Sequence, residues 1–161
     1  MEGLKENIMQ EIASAEHVLV GIGEEFDDKE VMTQLGKLAE ILAGKNYFVL
    51  STVHGKAVRS GQWREGRLVD FQDPDEEHYM KQWNLYTKWL GGTLNHKLVL
   101  LELGVGLKCP DAIRWPFEKV TSFNQKAILI RINEELSQLP LELKDKGMSV
   151  AKNAIDWLTE I

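Results

Sequence analysis

KLVLLELGVGLKCPDAIRWPFEKVTSFNQKAILIRIN, Lys97 to Asn133, is the stretch that decides the fold. An apolar run from Lys97 to Leu103 leads straight into Gly104-Val105-Gly106. A helical segment is expected over Phe117–Phe123, punctuated before it by Pro110 and Pro116. A second apolar run, Ala127–Ile132, stops at Asn133. A strand, a glycine turn, a helix and a strand in this order form one unit of a doubly wound α/β sheet. Such sheets bind ligands outside the carboxyl ends of their strands.

The same alternation extends outward. Leu4, Ile8 and Ile12 share a helical face, and Val18–Ile22 reads as a buried strand ending in Gly21-Ile22-Gly23. Asp28 is placed to cap a helix carrying Val31, Leu35, Leu38 and Leu42, which stops at Gly44. Tyr47–Ser51 is the second strand, Thr52–Arg67 a glycine-bearing loop, and Leu68–Phe71 a short third strand. An acidic loop around Pro74 precedes a helix over Tyr79–Leu90. Near the C-terminus the pattern predicts a short strand over Leu141–Leu143 and a last helix capped by Ser149. Strands alternating with helices predict a mostly parallel sheet in one doubly wound domain over residues 1–161, with strand order near 3-2-1-4-5-6.

The 161 residues are 43% hydrophobic, and the formal net charge is −6. An acidic chain with scattered Lys and Arg argues against nucleic acid as a partner, because phosphate contacts need clustered positive charge. No apolar run is long enough to span a bilayer. The charged start, MEGLKENIMQEIASAEH, lacks a signal-peptide core, so a cytoplasmic protein is expected. Cys109 is the single cysteine. It excludes an internal disulfide or a cysteine zinc cluster, and it reads as a small apolar filler in a loop.

Two blocks carry a family resemblance. Tyr47–Thr52, YFVLST, resembles the Y-F-V-L-T-T strand of sirtuins. LELGVG, the segment Ile113-Arg114-Trp115-Pro116-Phe117-Glu118 and ILIRIN resemble L-E-L-G-V-G, I-R-Y-P-F-E and L-I-R-I-N of the sirtuins found beside macrodomain proteins, which ADP-ribosylate lipoylated carrier proteins. The similarity runs from about Ala15 to the C-terminus, and only Tyr47–Gln72 and Lys97–Asn133 are specific. The resemblance implies a Rossmann fold, NAD as co-substrate, and transfer of an acyl group or of ADP-ribose. It places Gly21, Gly23, Thr52, Gly104, Gly106 and Asn133 around the cofactor, with Gln72 and Arg114 as candidate catalytic residues. Arg114 would bind a carboxylate or phosphate, or pair with Glu102 or Glu118.

The departures are specific. Val53 stands where the family has the asparagine that places the nicotinamide ribose and its attacking water. Valine offers no side-chain hydrogen bond. Glu24 and Glu25 follow Gly21-Ile22-Gly23 and oppose a bound diphosphate by like charge. The family's NAD-covering loop is missing, and so is its zinc ribbon, so no zinc is expected and the small domain is reduced to an acidic loop. His54 ends the second strand without an orienting carboxylate at fixed spacing, and the four histidines form no metal signature. Trp63, in a glycine-rich loop, is a candidate for a homodimer or protein interface. Three functions follow: a non-catalytic binder of NAD, ADP-ribose or a related nucleotide; an active NAD-dependent ADP-ribosyltransferase or deacylase; and a partner-binding pseudoenzyme with no nucleotide.

Overall fold

The computed structural model describes residues 2–161. Its strands are β1 (His17–Ile22), β2 (Asn46–Ser51), β3 (Leu68–Asp70), β4 (Leu98–Leu103), β5 (Ala127–Ile132) and β6 (Gly147–Val150). They form one sheet in the order β3-β2-β1-β4-β5-β6, with every neighbouring pair parallel. The central strands are buried on both faces, which is why β4 reads LVLLEL without polar alternation.

Successive side chains point to opposite faces. Val99, Leu101 and Leu103 of β4 join one core with Val18, Val20 and Ile22. That core is covered by α1 (Glu2–Ser14), α2 (Met32–Leu42) and α5 (Ala154–Glu160), through Ile8, Ile12, Leu35, Leu38 and Trp157. Leu98 and Leu100 face the second core with Leu19, Phe48 and Leu129. It is covered by α3 (Glu76–Gly91) and α4 (Arg114–Phe123). On α3 the rings of Tyr79, Trp83, Tyr86 and Trp89 run as a ladder over Phe48 and Phe71.

Four local expectations are corrected. Met32 opens α2 after Val31. Asp28 does not cap it but sits at φ 54 with its N–H on the His54 carbonyl. Pro116 lies inside the first turn of α4, where its missing N–H breaks no helical bond, so the helix starts at Arg114 rather than Phe117. Leu141–Lys146 is a 3-10 turn rather than a strand, and the last strand is Gly147–Val150. Ser149 belongs to that strand and donates its hydroxyl to the Ser137 carbonyl, while Asn153 caps α5 by accepting from the Ile155 and Asp156 N–H groups. The chain passes from β3 to α3 through residues 71–75 alone.

Candidate functional site

The carboxyl ends of β1, β2, β4, β5 and β6 open at one rim of the sheet, and the loops after them are the walls of a crevice. The loop after β1 occupies it. Residues Glu24–Phe26 form a 3-10 turn whose Phe26 ring is fully buried in the core. Anchored there, three acidic side chains reach the other walls. The His54 N–H, after β2, donates to Asp27 Oδ1 at 2.8 Å. The Lys108 N–H, after β4, donates to Glu24 Oε1 at 3.3 Å. The Glu134 N–H, after β5, donates to Glu25 Oε2 at 2.8 Å, and the Ala154 N–H, after β6, donates to Glu25 Oε1 at 2.8 Å. Each of these four walls thus gives one backbone donor to a carboxylate of the first loop. The like-charge opposition between this loop and an incoming anion is therefore built in with geometry the sequence did not reveal.

The glycines divide into two kinds. A Cβ on Gly21 would lie 2.5 Å from Ile113 Cγ2, and one on Gly23 would lie 2.6 Å from the Val105 backbone. Both are filled by the fold itself. Gly104 adopts φ +65, which a side chain rarely tolerates, and its Cβ would meet Glu25 Cβ at 2.6 Å. A Cβ on Gly106 would overlap Glu24 Oε1. Beside Gly106 the space is held by the Glu24 carboxylate, which can rotate, whereas at Gly104 the nearest atom is the Glu25 Cβ, fixed to the backbone.

The remaining residues singled out in the sequence are placed as follows. Thr52 is half-buried at the rim, and its N–H donates to the Ile22 carbonyl. Val53 is buried in the core on the α2 side, with its N–H on Ser51 Oγ. Asn133 is buried. Its Nδ2 donates to the Val105 carbonyl, and its Oδ1 accepts from the Glu135 and Leu136 N–H groups. Arg114 pairs with neither Glu102 nor Glu118: Nη1 donates to the carbonyls of Val105 and Leu136, tying the Gly104–Gly106 turn to the loop after β5. The two glutamates are taken by Arg131, bidentate on Glu102 at 2.9 Å and also 2.9 Å from Glu118. Burial pushes the Glu102 carboxyl up, against the pull of Arg131. Gln72 follows the edge strand β3, three strands from β4. Its side chain is exposed, and its backbone is held by Asp70 and Arg59.

His54 is exposed. His78 pairs with Asp73 at 2.6 Å on the β3 side of the molecule. Trp63 is half-buried and donates its indole N–H to the Val58 carbonyl. Among the described residues there is no group of three or more His, Cys, Asp or Glu side chains arranged for a metal ion, and Cys109 is exposed. Also among them, no helix is long and apolar enough to cross a membrane. A cavity of about 540 Å³ lies between α1, α5 and the chain after β6, lined by Leu4, Val150, Ala151, Lys152 and Trp157. Sequence reasoning named the glutamates as an obstacle, but it missed their partners. Those partners are backbone N–H groups of Lys108, Glu134 and Ala154, which no residue type announces.

No family model matches the chain. It is 21% identical over 85 residues to a protein ADP-ribosyltransferase of Staphylococcus aureus, covering 53% of this chain. It is 32% identical over 97 residues to a probable bifunctional ADP-ribose hydrolase/ADP-ribosyltransferase of Fusarium oxysporum f. sp. cubense, covering 57% of this chain. The chain spans only 27% and 14% of the length of these curated relatives. Among solved structures it is similar to an exopolyphosphatase-related protein from Bacteroides fragilis, at a TM-score of 0.52 and 12% identity over 93% of this chain and 39% of that one. That likeness places the chain among α/β folds with a Rossmann-like parallel sheet, and the two curated relatives are distant similarities to proteins named for ADP-ribose chemistry.

Proposed function

We propose that this chain is a sirtuin-like protein that binds NAD, ADP-ribose or a related nucleotide at the carboxyl ends of β1, β4 and β5 without cleaving it. One observation carries the reading. The N–H groups of Lys108, Glu134 and Ala154 converge on the Gly104–Gly106 turn and already hold two carboxylates there. A diphosphate presents the same acceptor chemistry to such a cradle. The names of the curated relatives favour the same nucleotide. So do the sirtuin-like blocks Tyr47–Thr52 and Leu101–Gly106.

Three placements support a reading without turnover. Val53 is apolar and buried at the position of the family's ribose-placing asparagine. Arg114 spends its Nη1 on two backbone carbonyls, and Gln72 stands at the far edge of the sheet. The second reading, a partner-binding pseudoenzyme, is favoured by Asn133, whose amide is used at both ends inside the chain. Calorimetry with NAD and with ADP-ribose, run beside an assay for released nicotinamide, separates the readings. Saturable heat with both ligands and no nicotinamide is expected. Steady nicotinamide release would restore the active transferase, and no heat with either ligand would leave the pseudoenzyme.

A further inference from the structure

We infer that the acidic side chains of the first loop are an internal competitor for the nucleotide's diphosphate. Glu24 and Glu25 form a gate that the ligand must displace. The inference rests on the binding reading above, and it adds how access to that site is controlled.

Three features distinguish a gate from a permanent plug. Phe26 fixes the loop in the core, so the backbone stays in place while the glutamates beside it turn. The side chains of Glu24 and Glu25 are only half-buried, so water reaches them and can receive them. What lies against Gly106 is the Glu24 carboxylate, and the Glu25 carboxylate lies against Gly104 beyond a Cβ that stays with the backbone, whereas Gly21 and Gly23 are pressed by the fold's own packing. Rotating both side chains outward therefore frees the N–H groups of Lys108, Glu134 and Ala154 and uncovers Gly106, whose backbone a phosphate can then approach. It does so without moving a strand. The Arg114 guanidinium stays bonded to the Val105 and Leu136 carbonyls, so the Gly104–Gly106 turn and the loop after β5 remain joined. Asp27 stays bonded to the His54 N–H and within 3.8 Å of Lys108 Nζ, so the loop remains tethered when the two glutamates leave. Because only the open fraction of molecules is competent, apparent affinity is reduced by that fraction.

The test compares ADP-ribose binding by the full chain and by the double variant Glu24→Ala/Glu25→Ala, by titration calorimetry, after thermal melts confirm folding. The gate predicts affinity about tenfold or more tighter in the double variant. Equal, measurable affinity in both proteins overturns the gate and leaves nucleotide binding standing. No binding by either overturns both. Where the double variant does not fold, amide resonances of the unaltered protein decide. Saturable shifts of the Lys108, Glu134 and Ala154 N–H signals on adding ADP-ribose support displacement. Shifts confined to other residues overturn it.

Discussion

Val53 and Asn133 have opposite relations to the sequence. Both stand at positions the sirtuin resemblance gives to the nucleotide, and both are buried, at 3% and 4% exposure. Valine is legible as a loss because its side chain cannot hydrogen-bond in any setting. Asparagine is not legible, because its amide serves a ribose or a loop equally well and only the fold shows that Val105, Glu135 and Leu136 take it. Placing the sirtuin asparagine at position 53 is therefore not expected to confer chemistry. Val53→Asn puts an amide among Val20, Val31 and their neighbours in the α2-side core, where an unpaired polar group costs about 1–3 kcal/mol. The expected outcome is a lower urea midpoint and no nicotinamide release. Activity at normal stability would show that the position still faces a ribose.

The elements were legible where apolar runs are long and obscure where they are short. β4 and β5 follow from LVLLEL and AILIRI, but β6 carries only Gly147–Val150 at the sheet edge, half exposed, and gives no such run. What seats α4 was hidden as well. Gly21, Glu102 and Arg131 lie in one row across β1, β4 and β5. Gly21 leaves room for Ile113, just before α4, and for Phe117 on it, and Arg131 binds Glu102 beneath the helix while reaching Glu118 on it. An isolated Glu and an isolated Arg in two apolar strands announce a pair only when the register is known. Arg131→Met leaves the fully buried Glu102 carboxylate without its cation and is expected to cost about 3–5 kcal/mol in urea unfolding. Adding Glu102→Met is expected to recover much of that loss, because Glu118 is partly exposed and water can solvate it. Strictly additive losses would contradict the pairing.

On the scale of the whole molecule, the two ends of the sheet differ. At the amino end, His17 stacks edge-on against Trp89 and His96 with its Nδ1 buried and unpaired. Burial, with the charge of His96, holds its pKa below the ordinary 6.5. The unfolded chain then takes up the proton first, so stability falls as pH drops below 6.5. Hydrogen bonds from His96 and His78 hold Glu16 and Asp73 below 4.5 and 3.8, so a second loss follows as pH falls through that range. Melting temperature against pH is expected to show both limbs, and His17→Phe is expected to remove only the upper one. At the carboxyl end, the strand order and the crevice were legible from the glycine turns, but the occupant of the crevice was not. Four loops far apart in sequence meet there on Glu24, Glu25 and Asp27. A crystal structure with ADP-ribose tests this most directly. The diphosphate is expected on the N–H groups of Lys108, Glu134 and Ala154, with both glutamate carboxylates turned out. A diphosphate bound elsewhere, with Glu24 and Glu25 still on those three groups, would contradict it.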